Sequence, residues 1–213
     1  MELNNLIDHT NLKQNATADD IKKLCTEAKQ YKFATVAINS CWTKLAHTEL
    51  AGSGVGITTC IGFPLGACTT AAKVAEAKQA VEDGTTEIDM VINGGHLIAG
   101  DDDYVMNDIK AVVEAAGSVP VKVILECCLL DDQQIVRACK DCMEAGAAFV
   151  KTSTGFSTGG ATVHDVALMK QTVGDVCKVK AAGGIHNKAD AEAMVQAGAD
   201  RLGCSSGIAI VTE

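Results

Sequence analysis

Eight short runs of β-branched and apolar residues recur along the 213-residue chain at intervals of about 22–34 residues, and this spacing most constrains its fold. They are LIDHT (6–10), TVAIN (35–39), ITTCIG (57–62), EIDMVIN (87–93), VKVILE (121–126), FVKTST (149–154), KVKAAGG (178–184) and RLGCSS (201–206). Each interval is the length of one strand–helix unit, and the segments between carry helical start and stop signals. Thr17 precedes an acidic first turn, and TVHD (162–165) has capping-box spacing with Asp in place of Glu. Gly84, Gly117, Gly146, Gly174 and Gly198 close helical patterns where a left-handed residue is favoured. No linker or composition shift breaks the series. The expectation is one α/β domain over residues 1–213, a (β/α)8 TIM barrel, although the same alternation also permits an open doubly wound sheet. The first run is the weakest, because Asp8 and His9 interrupt it.

Composition narrows the function classes. The net charge is −9 and no cluster of five or more Lys/Arg occurs, which argues against a nucleic-acid partner. No apolar stretch approaches the ~18 residues of a membrane span, and MELNNLIDHT lacks the regions of a signal peptide, so a cytoplasmic location is expected. The ten cysteines are spread through predicted strands and helices; Cys139 and Cys142 form one CxxC with no second pair and no His at zinc spacing. They read as reduced, mostly buried small side chains, with neither metal nor cofactor expected.

The chemistry lies in charges placed inside predicted strands. Lys151 sits in AAFVKTSTGF and Lys180 in VCKVKAAGG, where an unpaired ammonium costs several kcal/mol or gives up its proton. In a closed barrel alternate side chains point inward. Parity then groups Phe149, Lys151 and Ser153; Lys178, Lys180 and Ala182; Glu87, Asp89 and Val91; and Lys122, Ile124 and Glu126. Asp89, Lys122, Glu126, Lys151 and Lys180 would converge from four consecutive strands. That set is either a structural ion-pair network or a reactive centre. In the second reading, an apolar wall and a neighbouring cation favour a neutral amine, which attacks carbonyl carbon to form a Schiff base, and Asp89 moves protons. The residues alone do not choose Lys151 over Lys180. Gly155, Gly183, Gly184, Ser205 and Ser206 lie in loops after the last three strands, where barrels commonly hold a phosphate. A non-catalytic phosphosugar-binding barrel, and another lysine aldolase such as a transaldolase, stay open at this point. His9 reads as a hydrogen-bonded strand residue rather than a base.

FVKTSTGFSTGGAT, VKAAGGI, IGFPLGA, EIDMVIN and LIDHT, in that spacing, resemble the deoxyribose-phosphate aldolase family from Leu6 to about Val211. The resemblance implies a class I aldolase that interconverts 2-deoxy-D-ribose 5-phosphate with D-glyceraldehyde 3-phosphate and acetaldehyde. By motif position Lys151 corresponds to the Schiff-base lysine, and Asp89 and Lys180 to the residues that relay protons and tune it. Lys122, Glu126 and Thr152 are candidate supporting residues, and a homodimer is a candidate assembly. The chain departs from the family pattern at Asn39–Ser40, where Asn-Pro is usual, and at Cys127, where Thr is common. It ends at Glu213, short of the tail with a final Tyr that some members use in proton transfer. Slower proton transfer, or a branch that does without the tail, are the two expectations.

Overall fold

All eight runs form strands in the computed structural model, which describes residues 2–213. They are β1 (Ile7–Asn11), β2 (Thr35–Asn39), β3 (Gly56–Ile61), β4 (Glu87–Val91), β5 (Val121–Ile124), β6 (Phe149–Lys151), β7 (Lys178–Ala182) and β8 (Arg201–Cys204). Each pairs in parallel with its neighbour in sequence, and β1 pairs with β8, so the sheet closes into a barrel in the order β1 to β8. The open doubly wound alternative is thereby excluded. The observed strands stop earlier than several of the predicted runs. Beyond Lys151 and Ala182 the backbone leaves the ladder to form the loops of the C-terminal mouth.

Helices α1 (Ala18–Tyr31), α2 (Thr43–Glu49), α3 (Thr70–Glu82), α4 (Gly94–Ala99), α5 (Asp102–Ala116), α6 (Asp132–Glu144), α7 (Val163–Val173), α8 (Lys188–Gln196) and α9 (Gly207–Thr212) surround the barrel. Local chemistry starts them where expected. The Thr17 side chain accepts from the Asp20 N–H and Asp20 reciprocates at the Thr17 N–H, a capping box worth about 1 kcal/mol. Thr162 caps α7 through the Asp165 N–H. All five predicted stop glycines have positive φ. At Gly198 the contact is close as well, since a Cβ there would lie 2.6 Å from Lys170 Cγ.

The apolar core lies between barrel and helices. Ile7, Val36, Ile38, Ile88, Met90, Val123, Val150, Val179 and Leu202 point outward and are buried against the helical layer. Burying one such side chain is worth about 1.5–3 kcal/mol. Cys139 and Cys142 belong to this layer, on the buried face of α6. The ten thiols are unpaired, and three of them (Cys41, Cys68, Cys128) are exposed rather than buried. The barrel interior, usually filled by branched aliphatics, is here polar. Register aligns Asp8 with Thr35, Thr58 with Glu87, Asp89 with Lys122, and Lys151 with Lys180, so these side chains share the inner face.

Candidate active site

Asp89 is the hub of the barrel interior. Its carboxylate accepts from Lys122 Nζ at 2.9 Å through Oδ1, and through Oδ2 from Lys151 Nζ at 2.7 Å and Lys180 Nζ at 2.8 Å. Asp89, Lys122 and Lys180 are fully buried, whereas Lys151 is 3% exposed. Lys151 is the last residue of β6, so its amine reaches the C-terminal mouth. There it lines a cavity of about 610 Å³; Lys122 and Lys180 do not.

Electrostatics fix the charges of this group. Burial alone would raise the Asp89 pKa, but Lys122, Lys151 and Lys180 outweigh it and hold the carboxyl well below the usual range. Asp8 behaves alike: burial opposes its charge, and Lys180, Lys122 and Arg201 together keep its pKa low. Burial also disfavours the Lys180 ammonium, yet Asp8 and Asp89 more than compensate and raise its pKa above the ordinary lysine value. Lys180 is therefore a cation in the resting site, held by Asp8 at 2.5 Å and Asp89 at 2.8 Å. The Cys60 thiol faces the same interior, and burial pushes it up to about 11, so it stays protonated.

Three members of the network were not among the converging set read from the sequence. Asp8 interrupts the apolar run of β1 in the sequence, yet a charge at an inward position of a strand is itself the signal of such a network. Glu87 shares the parity of Asp89 and pairs with Lys122 at 2.5 Å. Arg201, the first residue of β8, pairs with Asp8 at 2.6 Å and Glu87 at 3.0 Å. Glu126, by contrast, is not in the lysine cluster. Parity carried the β5 run two residues too far: the strand ends at Ile124, and Glu126 turns to a left-handed conformation at φ 58°. Its carboxylate instead accepts from the Thr154 hydroxyl and N–H, beside a separate cavity of about 310 Å³. Thr152 points away from the cluster and braces β7, donating to the Ala182 carbonyl and accepting from its N–H. His9 is buried with Nε2 2.9 Å from Glu27.

The glycine loops gather at the mouth as expected. Gly155, Gly183, Gly184 and Ser205 line the same cavity as Lys151; Ser206 is not in its wall but follows Ser205 at the start of α9. Gly155, Gly183 and Gly184 have φ of 82°, 81° and 76°, conformations that bulkier residues resist. The loops after β6 and β7 also pack backbone to backbone, since a Cβ on Gly160 would fall 2.5 Å from the Gly183 carbonyl.

The closed parallel barrel that carries this lysine cluster has counterparts among known proteins. Residues 4–212 match the DeoC/LacD family of aldolases, and the chain belongs to that family. Within it, the chain is similar to the deoxyribose-phosphate aldolase of Clostridium novyi (strain NT), at 59% identity over 212 residues, covering 99% of this chain and 96% of the relative. The deoxyribose-phosphate aldolase of Bacillus mycoides (strain KBAB4) is 57% identical, covering 99% of this chain and 95% of the relative. Among solved structures, the tetrameric deoxyribose phosphate aldolase from Aeropyrum pernix superposes with a TM-score of 0.92 at 34% identity, covering 99% of this chain and 89% of that one. Among the described residues no helix is long and apolar enough to cross a membrane.

Proposed function

We propose that this chain, working as one barrel domain, is a class I aldolase that reversibly cleaves 2-deoxy-D-ribose 5-phosphate to D-glyceraldehyde 3-phosphate and acetaldehyde. The observation that carries the assignment of the nucleophile is access: of the three lysines around Asp89, Lys151 alone lines the cavity. Its neutral amine attacks the open-chain aldehyde carbon C1, and loss of water leaves a protonated imine. That imine withdraws the electron pair of the C2–C3 bond as the C3 hydroxyl loses its proton. Glyceraldehyde 3-phosphate departs and an enamine remains. Protonation at C2 gives the acetaldehyde imine, which water hydrolyses to release acetaldehyde and the free amine.

Asp89 and Lys180 are proposed as the acid–base pair. Both lysine amines donate to the same oxygen, Asp89 Oδ2, so a proton crosses from one to the other over a single atom. Lys180 also supplies the neighbouring cation that favours a neutral Lys151. Lys122 supports from the far side, holding Asp89 Oδ1 in place. Gly155, Gly183, Gly184 and Ser205, with Ser206 next to them, are proposed to receive the phosphate through backbone N–H groups and hydroxyls. Glu126 and Thr152 act indirectly in this reading, by shaping the loops after β5 and β6.

A cytoplasmic location suits ten unpaired cysteines. Self-association also belongs to the proposal, with a homodimer as the simplest assembly and light scattering as its check. The activity is tested by incubating the protein with 2-deoxy-D-ribose 5-phosphate and following acetaldehyde and D-glyceraldehyde 3-phosphate in equal amounts. Failure to release either, with substrate bound, would leave the phosphosugar-binding barrel as the better description.

A further inference from the structure

The ion-pair network around Asp89 runs through the barrel to the opposite face. Glu87 and Arg201 open β4 and β8, so they sit at the N-terminal ends of their strands, whereas Lys151 closes β6. Arg201 donates from Nη1 to Asp8 at 2.6 Å and to Glu87 at 3.0 Å, and from Nη2 to Glu87 at 3.1 Å. Lys122 joins the two ends, with Nζ 2.5 Å from Glu87, 2.9 Å from Asp89 and 3.7 Å from Asp8. The Glu87 and Arg201 side chains are each 15% exposed, so this end of the network touches water.

Every strand contributes to the interior that Lys151 faces. β1 brings Asp8, β4 Glu87 and Asp89, β5 Lys122, β7 Lys180 and β8 Arg201, while β2 and β3 bring the neutral Thr35, Thr58 and Cys60. Lys178 stands at the rim, 5.6 Å over the Phe149 ring, and makes no ion pair. Four cations therefore contact three carboxylates, leaving one surplus positive charge. Lys122 touches three of those carboxylates, Lys180 and Arg201 two each, and Lys151 only Asp89. Loss of one proton makes the cluster neutral, and Lys151 is the amine that gives it up with the least loss of pairing.

We infer that Arg201 and Glu87, at the face of the barrel away from the substrate, are positioning residues whose charges set the pH at which Lys151 becomes a nucleophile. The inference rests on the Schiff-base reading above. Its sign is definite. Glu87→Gln removes an anion and raises the surplus, so the neutral amine persists to lower pH; Arg201→Met removes a cation and does the reverse. A unit charge about 10 Å away at an effective dielectric of about 20 shifts a titration by about one pH unit.

The test is the pH dependence of acetaldehyde trapping by cyanoborohydride on the whole protein, with thermal melts recorded alongside. The midpoint is expected to move down by about half to one pH unit in Glu87→Gln and up by a similar amount in Arg201→Met. In the double variant one charge of each sign is lost, and the midpoint should return close to that of the unmodified protein. A merely structural pair would lower the melting temperature of all three variants without moving the midpoints in opposite directions. Equal midpoints, or shifts of one sign in both single variants, would overturn the inference. Should Arg201→Met fail to fold, the nearly isosteric Glu87→Gln decides the question by its shift alone. An unmodified protein that traps acetaldehyde at no pH would overturn the Schiff-base reading itself.

Discussion

Replacing Asp89 by Asn keeps the shape of the hub and removes its charge, and the consequences differ for stability and for each chemical step. Three buried ammonium groups lose an acceptor. Lys122 keeps Glu87 and Asp8, and Lys180 keeps Asp8, but Lys151 is left with no carboxylate. Breaking a buried pair costs about 3–5 kcal/mol, or about 6–20 °C in Tm for a chain of this size. Lys151 can escape part of that cost by releasing its proton, so the fall should lie in the lower half of the range. The same release keeps imine formation possible. Proton transfer at C2 and at the C3 hydroxyl, however, loses its relay, and general acid–base help is worth about 100–10,000-fold. The assay is a comparison: turnover of 2-deoxy-D-ribose 5-phosphate should fall by that factor, while acetaldehyde trapping in a single turnover persists. Turnover within threefold of the unmodified protein would refute the relay role. Loss of trapping in a folded variant would show instead that Asp89 is needed to form the imine.

Other perturbations probe separate parts of the structure. Gly160→Ala would drive a methyl group into the Gly183 backbone and part the two glycine loops; KM for the sugar phosphate should rise at least tenfold with acetaldehyde trapping unchanged, and an unaltered KM would argue against the phosphate placement. Asp141 on α6 is pushed up to about 6 by burial and by Asp102. Because its folded pKa is raised, its charge destabilises above pH 6, so Asp141→Asn should raise Tm at pH 7.5, and the gain should fade toward pH 4. Asp8 is the opposite case: its pKa is held down, so its contribution is complete above about pH 4 and is lost as pH falls further. Asp8→Asn should accordingly lower Tm at pH 7 and converge with the unmodified protein on acidification, and a gap that is constant with pH would contradict this.

The barrel was legible because its outer surface is apolar. Val36, Ile38, Ile88, Met90, Val121 and Val123 alternate with inward residues, and each strand interval has room for a helix, the β4–β5 interval holding two. What obscured the site was the interior, where charge replaces the usual aliphatic filling. Lys151, Lys180, Lys122 and Asp89 stood out because they lie within apolar runs. Asp8 did not, since next to His9 it looked like a break in a weak strand, and only closure of β1 on β8 brings it to Lys180. Arg201 is hidden for a similar reason: at the start of β8 it reads as a solvated end, and its partners come from β1, adjacent only once the barrel closes, and from β4 across the barrel. Glu126 shows the converse error. Strand parity holds only while the ladder lasts, and no local signal marked its end at Ile124. The residues alone left two lysines on adjacent strands undistinguished; the family resemblance pointed to Lys151, which is the one of the two that lines the cavity.

The central claim is that Lys151, and neither of its neighbours, forms the covalent intermediate. Reduction of the protein with borohydride in the presence of acetaldehyde, followed by peptide mapping, tests it directly. A single two-carbon adduct on Lys151, absent in Lys151→Leu and retained in Asp89→Asn, is the predicted result. An adduct on Lys180 or Lys122, or none at all in a protein that still cleaves the sugar phosphate, would contradict the account.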